Sequence, residues 1–133
     1  MDGYGKRILI IDDDPGCRAL LKAQLEQEGY AVQTACDGLA ALDEMDKRRF
    51  EAVIVDAHIP GLSGLEFSEF SRIVWPETPV ILLSADLNYS TEYVDEDGVV
   101  ACIRKPYKAS VLLSTLRAAT QPVSTDQAAF PMI

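Results

Sequence analysis

Four short apolar runs of the chain each lead directly into polar side chains. The runs cover residues 7–11, 52–55, 79–83 and part of 98–106. The polar residues that follow them are Asp12, Asp13, Asp14, Asp56, Ser84 and Lys105. Continuous apolar runs are typical of parallel strands covered on both faces, and sites in such sheets form beyond the carboxyl ends of the strands. We therefore expect these polar groups to share one site.

Three carboxylates in one pocket predict a cation. Mutual repulsion between Asp12, Asp13 and Asp56 favours their protonated forms unless a positive charge is present, and Mg²⁺ accepts one or two carboxylates plus water and a phosphate group. Lys105 offers a compact positive charge to Asp56 or to a phosphoryl oxygen, and Ser84 offers a hydroxyl. Because a carboxylate can itself attack phosphorus, the set favours Mg²⁺-dependent phosphoryl transfer.

Amphipathic segments alternate with the apolar runs and predict the fold. Helices are expected over 15–30, 37–50, 63–75 and 108–121, and strands over 7–11, 30–35, 52–56, 79–84 and within 98–106. Asp14 and Asp37 occupy N-cap positions, and Pro15 follows Asp14 at the first helical position. Alternating strands and helices indicate a doubly wound α/β fold with five parallel strands and five helices. The fourth helix, within 85–98, has little apolar periodicity and is expected to be short or irregular.

Composition limits the classes of function. The chain has 133 residues and a formal net charge of −9. We expect one domain over 1–121 and a flexible C-terminal tail over 122–133. The negative charge repels phosphate backbones and anionic lipid, which argues against nucleic-acid or membrane partners. No apolar run is long enough for a membrane span and no signal-peptide pattern is present, so we expect a cytoplasmic protein.

Three cysteines without CxxC spacing argue against a disulfide framework or a zinc site. Each cysteine follows a small residue, glycine or alanine. We therefore expect Cys17, Cys36 and Cys102 to be buried or half-buried thiols.

The ordered motifs resemble those of one family, the response-regulator receiver domains of two-component signalling. The segments that carry the resemblance are ILIIDDDPGCRALL, VIVDAHIPGLSGLEF, VILLSA and IRKPY, and the match covers roughly residues 6–120. The resemblance implies a flavodoxin-like, CheY-like fold with strand order 2-1-3-4-5. It also implies a part in a phosphorelay.

The resemblance assigns roles to individual residues. Asp56 would accept a phosphoryl group from a histidine kinase or a histidine phosphotransfer protein. Asp13, Asp56 and the backbone carbonyl of His58 would ligate Mg²⁺, with Asp12 acting mainly through water. Ser84 and Lys105 would hold phosphoryl oxygens. The family also implies a cis bond between Lys105 and Pro106. Such a domain catalyses only its own phosphorylation and dephosphorylation, and it signals by contact with a downstream protein.

Two features set this chain apart from the family pattern. Cys102 stands three residues before Lys105, where the family usually has Tyr or Phe, so the aromatic relay of the switch is absent. The fourth helix, part of the usual output face, is poorly specified. Separately, His58 lies two residues after Asp56 and Asp86 two residues after Ser84. Their side chains are expected to face each other across the site entrance and to modulate the lifetime of the phosphoryl group.

Two alternatives remain open. A non-phosphorylated interaction module with the same fold is suggested by Cys102 and the weak fourth helix. A Mg²⁺-dependent phosphatase with Asp56 as its nucleophile would usually have an acid two residues later, where this chain has His58. Acetyl phosphate, Mg²⁺ and an Asp56→Asn variant separate the first alternative from the phosphoacceptor function, and turnover of a phosphomonoester would be required for the second.

Overall fold

A computed structural model describes residues 3–85 and 99–121 of the chain. Its sheet has five parallel strands in the order β2-β1-β3-β4-β5, which confirms the predicted order. The strands are β1 (Arg7–Ile11), β2 (Ala31–Ala35), β3 (Ala52–Asp56), β4 (Val80–Ser84) and β5 (Val99–Arg104). Because β1 and β3 lie side by side, as do β3 and β4, their carboxyl ends form one continuous edge.

The described residues contain four helices, whereas the sequence predicted five. They are α1 (Pro15–Gln27), α2 (Gly38–Lys47), α3 (Gly64–Val74) and α4 (Ala109–Thr120). The other predicted helix was expected within 85–98, and residues 86–98 lie outside the described residues, as does the expected tail at 122–133. None of these four helices is long and apolar enough to cross a membrane.

Side-chain caps fix the start of three helices close to the carboxyl edge of the sheet. The Asp14 carboxylate accepts hydrogen bonds from the backbone N–H groups of Gly16 and Cys17, and the Asp37 carboxylate accepts one from Ala40. Ser63 forms a capping box with Glu66 at the start of α3. A cap of this kind is worth about 1 kcal/mol. The N-caps predicted at Asp14 and Asp37 are therefore confirmed.

Helices cover both faces of the sheet. Leu9 of β1 belongs to the same buried cluster as Phe67 of α3, whereas its neighbour Ile10 belongs to a second cluster with Leu25 of α1 and Leu116 of α4. Successive strand residues point to opposite faces, so a strand buried on both sides needs a continuous apolar run. The doubly wound arrangement thus explains the apolar runs of the sequence.

Some apolar residues at helical spacing do not face the core but lie at the surface. Leu20 of α1 and Phe70 and Val74 of α3 have exposed fractions of 62%, 44% and 45%. On α3 the inner face is formed by small residues around Phe67, namely Gly64, Ser68 and Ser71. This face is centred away from Phe70 and Val74, which lie on one flank of the helix.

The prediction of buried thiols is wrong for two cysteines. Cys17 and Cys36 are exposed, and only Cys102 is half-buried. Cys17 lies in the first turn of α1, next to exposed Gly16, and Cys36 follows the edge strand β2. The small residue before each cysteine was a poor guide because both cysteines occupy positions at the ends of elements, where the chain turns.

Candidate functional site

Three carboxylates meet at the carboxyl edge of the sheet. Asp12 follows β1 and Asp56 is the last residue of β3, while Asp13 extends from the loop after β1. Their carboxylate oxygens lie within 4.8 Å of one another. Asp12 is buried, Asp56 half-buried and Asp13 exposed, so the cluster opens to solvent on one side. Oxygen donors at this spacing suit a hard divalent cation such as Mg²⁺.

Asp12 is held in place by one hydrogen bond to its side chain and another to its backbone carbonyl oxygen. Its Oδ1 accepts the backbone N–H of Asp14 at 2.9 Å, and its carbonyl oxygen accepts Nη1 of Arg18 at 2.7 Å. Burial raises the pKa of the Asp12 carboxyl, and the charges of Asp56 and Asp13 act in the same direction. The hydrogen bond from Asp14 and the charge of Lys105 oppose this increase. A cation at this position would relieve the repulsion among the three acids.

Lys105 forms an ion pair with Asp56 in this cluster. Its Nζ lies 2.9 Å from Oδ2 of Asp56, and the other carboxylate oxygen, Oδ1, accepts the backbone N–H of His58 at 3.0 Å. Both oxygens of Asp56 are therefore engaged, which fixes the plane of the carboxylate. Burial disfavours the charged form of Lys105, but the hydrogen bond and charge of Asp56 and the charge of Asp12 outweigh it, so the pKa of Lys105 is raised.

Ser84 and Lys105 are tied together through the backbone. The N–H of Lys105 donates to the carbonyl oxygen of Ser84 at 2.8 Å, and Ser84 pairs with Arg104 in the register of β4 and β5. The Lys105–Pro106 peptide bond is cis, as the resemblance implied. Ser84 is buried at the end of β4, one position beyond Leu83, which pairs with Asp56. The structure thus brings the predicted hydroxyl, ammonium and carboxylate groups to one edge of the sheet.

A close approach of the backbone places the start of α3 against Asp56. The N–H of Gly64 donates to the carbonyl oxygen of Ala57 at 3.0 Å. A Cβ atom at position 64 would lie 2.7 Å from the carbonyl oxygen of Asp56 and 2.7 Å from Cα of Ala57. Only glycine fits here without displacement of the backbone. In the same loop Gly61 has a φ of 77°, which favours glycine over other residues.

Of the three remaining predicted residues, His58 and Cys102 lie within the described residues. His58 is exposed at the mouth of the site. Asp86 lies outside the described residues, so its predicted position opposite His58 stays a prediction. Cys102 is half-buried and packs against the cluster that contains Phe67, and burial raises the pKa of its thiol.

Sequence reasoning missed two residues that position the site. Arg18, six residues after Asp12, donates to the Asp12 carbonyl, and Gly64 allows α3 to begin beside Asp56. A basic residue in the first turns of a helix that follows an acidic loop was the available signal for Arg18. The Ser-Gly pair at 63–64 was the signal for Gly64, but a glycine in a loop can serve several purposes.

Comparison with known proteins identifies a family model and several proteins that are similar to this chain in sequence. The family model for the response regulator receiver domain matches residues 8–117. The chain is 34% identical over 122 residues to Response regulator MprA of Mycobacterium sp. (strain KMS), covering 91% of this chain and 53% of that protein. It is 36% identical over 130 residues to Sensory/regulatory protein RpfC of Xanthomonas campestris, covering 94% of this chain and 18% of that protein. The chain therefore spans about half the length of MprA and less of RpfC.

A solved structure shows the same fold. Response regulator protein TrrA from Thermotoga maritima, determined in complex with Mg²⁺-BeF, aligns with a TM-score of 0.78 and 33% sequence identity. The alignment covers 86% of this chain and 98% of that one. Nearly the whole of TrrA therefore has a counterpart here.

Proposed function

The chain belongs to the response regulator receiver domain family, and we propose that it accepts a phosphoryl group on Asp56 in a Mg²⁺-dependent reaction. The observation that carries the proposal is the engagement of Asp56 itself. Its two carboxylate oxygens are held by Lys105 and by the backbone of His58, beside the carboxylates of Asp12 and Asp13. A nucleophile with fixed orientation next to a cation site suits phosphoryl transfer, in which positioning and charge neutralisation supply most of the catalysis.

The proposed reaction proceeds through a covalent bond to Asp56. A carboxylate oxygen attacks phosphorus, and the bond from phosphorus to the nitrogen of a phosphohistidine, or to the leaving oxygen of acetyl phosphate, breaks. The leaving group departs with the electron pair of that bond, and a phosphohistidine donor takes up a proton as neutral imidazole. The product is an acyl phosphate on Asp56.

The residues around Asp56 would stabilise the negative charge of the phosphoryl oxygens during transfer. Mg²⁺ held by Asp13, Asp56 and the backbone carbonyl of His58, with Asp12 acting through water, would neutralise the phosphoryl oxygens. Lys105, whose Nζ lies 2.9 Å from Oδ2 of Asp56, would shift its contact to a phosphoryl oxygen once that carboxylate is phosphorylated. Ser84, tied to Lys105 through the backbone, supplies a hydroxyl to another phosphoryl oxygen.

The proposed partners follow from this chemistry. A histidine kinase or a histidine phosphotransfer protein would donate the phosphoryl group in the cytoplasm, and a downstream protein would recognise the phosphorylated form. The domain would act on no separate substrate, since it catalyses only its own phosphorylation and dephosphorylation. The relation to RpfC, a sensory and regulatory protein, and to TrrA, determined with Mg²⁺-BeF, supports this assignment.

Acetyl phosphate provides a direct test. Incubation of the full chain with acetyl phosphate and Mg²⁺ should raise its intact mass by about 80 Da, the mass of one phosphoryl group. Asp56→Asn should abolish the gain, and removal of Mg²⁺ by EDTA should prevent it in the wild-type chain. Asp46→Asn on α2, away from the cluster, should still be phosphorylated.

Intact mass and an assay of phosphomonoester turnover together distinguish the alternatives. Absence of a mass gain at any Mg²⁺ concentration would contradict the proposal and leave an interaction module with the receiver fold. A gain retained in Asp56→Asn would place the phosphoryl group elsewhere. Sustained turnover of a phosphomonoester that depends on Asp56 would instead indicate a phosphatase.

A further inference from the structure

A groove between α2 and α3 lies on the surface apart from the acidic cluster. It is lined by Leu42, Asp43, Asp46, Phe70, Val74 and Trp75, and its volume is about 420 Å³. We refer to these six residues as the α2–α3 groove. Leu42, Asp43 and Asp46 belong to α2, Phe70 and Val74 belong to α3, and Trp75 directly follows α3.

Exposed apolar surface is concentrated beside this groove. Phe70, Ile73 and Val74 have exposed fractions of 44%, 76% and 45%, and all three lie within two turns of α3. The ring of Trp75 packs edge-on against Phe70 with centroids 6.1 Å apart. The other exposed large apolar residues of the described ranges are scattered over the chain at Tyr4, Leu20, Leu39 and Val111. A contiguous exposed apolar patch with a polar rim is typical of a protein interaction site.

Acidic side chains flank the apolar residues on both sides. Asp43 and Asp46 belong to the groove on the α2 side. Glu69 precedes Ile73 by four residues, a spacing that places the two on the same side of a helix.

Basic side chains lie at one end of the groove, since Lys47, Arg48 and Arg49 line a neighbouring pocket that shares Asp46 and Trp75 with it. Lys47 lies 3.0 Å from Asp43 in an exposed ion pair, whereas Asp46 has no ion pair within residues 3–85 and 99–121. Arg72 is two residues from both Phe70 and Val74, and residues at that spacing do not share a helix face. Within the groove itself, the four apolar lining residues are accompanied by two charged residues, Asp43 and Asp46, and both are acidic.

We propose that the α2–α3 groove binds a basic amphipathic α-helix of a partner protein. Apolar side chains of that helix would pack against Phe70, Val74 and Trp75, and its Lys or Arg side chains would contact Asp43 and Asp46. An apolar stripe flanked by basic residues is the complement of this surface in both shape and charge. A second copy of the chain would bring the same acidic rim to the contact, in a molecule with net charge −9, so self-association is disfavoured.

The position of the groove leaves the acidic cluster accessible. α3 begins at Gly64, beside Asp56, and its 11 residues carry the chain roughly 16 Å away from that point. Phe70, Ile73 and Val74 belong to the second half of this helix. A helix bound there would occupy a surface different from the one at which Asp56 is reached, so this proposal goes beyond the proposed phosphoryl transfer and does not depend on it.

The sole tryptophan of the chain lines the groove and reports on its occupation. Trp75 is the only tryptophan in the sequence. The probe is a synthetic helical peptide of about 18 residues, roughly five turns, with leucines at helical spacing on one face and lysines beside them. A matched peptide carries Glu at every Lys position. The lysine peptide should shift the Trp75 emission saturably and bind at least about tenfold more tightly than the glutamate peptide, a difference within the range of electrostatic discrimination.

Substitutions at the groove and elsewhere make the test specific. Ile73→Asp, beside the groove, should weaken binding of the lysine peptide about tenfold, whereas Leu20→Asp, at another exposed apolar position on α1, should change it less than about twofold. Asp46→Lys should weaken binding of the lysine peptide and strengthen binding of the glutamate peptide. This exchange of preference cannot arise from loss of folding. Thermal unfolding of each variant checks that the fold is retained.

Three results would overturn the proposal. The first is no saturable change in Trp75 emission. The second is equal weakening by Ile73→Asp and Leu20→Asp, which would indicate non-specific attraction to an acidic protein. The third is a concentration-dependent dimer, seen by sedimentation and lost in Ile73→Asp, which would assign the surface to a second copy of the chain. A failure of phosphorylation at Asp56 has no bearing on any of these readouts.

Discussion

Lys105 and Asp56 form an ion pair across the carboxyl edge of the sheet, with Nζ of Lys105 2.9 Å from Oδ2 of Asp56, although they lie 49 positions apart in the chain. The contact spans β4, since Asp56 ends β3 and Lys105 follows β5. The side chains are 29% and 13% exposed, so solvent screens this pair less than an ion pair at the open surface. Removal of either partner leaves a poorly solvated charge.

Loss of the ammonium group should therefore impair phosphorylation more than Mg²⁺ binding. We expect Lys105→Met to slow phosphorylation of Asp56 by acetyl phosphate by roughly 10²-fold, the usual effect of one lost charge-stabilising donor. The rate is measured from the gain in intact mass over time at saturating Mg²⁺. Lys108→Met, at an exposed position three residues later, serves as the control and should leave the rate unchanged. Equal rates for Lys105→Met and the wild type would exclude a role for this amine in the transfer.

The acidic cluster should lower the free energy of unfolding when no cation is bound. Burial raises the pKa of Asp12, reinforced by Asp56 and Asp13. A carboxyl whose pKa is raised in the folded state favours folding at pH values below its unfolded pKa, and this contribution is lost as the pH rises through the folded pKa. Asp12→Asn removes the charge and keeps an oxygen for the Asp14 N–H. It should therefore raise the free energy of unfolding at neutral pH, by an amount on the order of 1 kcal/mol.

Urea unfolding at two pH values tests this prediction. The difference between Asp12→Asn and the wild type should vanish below the ordinary carboxyl pKa of 3.8, where Asp12 is protonated in both states of the wild type. Mg²⁺ at neutral pH should stabilise the wild type more than the variant, because only the wild type retains the full set of carboxylates. A variant that is less stable than the wild type at neutral pH would contradict the electrostatic explanation.

The close approach of α3 to the strand that carries Asp56 predicts a stability effect at a glycine. In Gly64→Ala the new Cβ would lie 2.7 Å from two backbone atoms, of Asp56 and Ala57, which cannot move as a side chain can. We expect the free energy of unfolding to fall by about 1–3 kcal/mol, the usual cost of overpacking. Gly16→Ala is the matched control, since its Cβ meets nothing nearer than 3.4 Å and alanine favours a helix. Urea unfolding should show no loss of stability for Gly16→Ala, and equal effects of the two substitutions would contradict the steric explanation.

The strands and the meeting of the acids with Lys105 could be predicted because each depends on a local pattern and one topological rule. Apolar runs mark strands buried on both faces, and parallel strands bring their carboxyl ends to one edge. These two rules alone predict that Lys105 and Asp56 lie close together. The N-caps at Asp14 and Asp37 were equally local, since a short polar side chain before a helix has few other uses.

Features that depend on packing between elements escaped the sequence. Helical spacing placed Phe70 and Val74 on an apolar face, but small residues on the inner face of α3 centre its contact with the sheet on Phe67. The hydrogen bond from Arg18 to the Asp12 carbonyl depends on the position of α1 relative to the loop after β1. The spacing of residues in the sequence does not predict that position. The exposed flank of α3 could therefore be identified only from the structure. This flank borders the α2–α3 groove.

His58 allows a prediction about the lifetime of the phosphoryl group. Its backbone N–H donates to Asp56 at 3.0 Å, a bond that any residue could make, whereas its side chain is exposed at the mouth of the site. We propose that the imidazole orients the water that attacks phosphorus and accepts its proton as the bond from phosphorus to Asp56 breaks. We expect His58→Ala to change the lifetime of phospho-Asp56 several-fold without preventing phosphorylation, since the hydrogen bond to Asp56 remains.

The pH dependence separates this chemical role from a steric one. If the imidazole acts as a general base, the wild-type lifetime should vary between roughly pH 6 and 8 more strongly than the lifetime in His58→Ala. His58→Phe retains a ring of similar size without a nitrogen. If the imidazole acts on water, His58→Phe should lose the pH dependence as His58→Ala does; if the ring only shields the site, His58→Phe should keep the wild-type lifetime. A lifetime that is independent of pH in the wild type and in both variants would remove His58 from the hydrolysis and leave its backbone N–H as its contribution to the site.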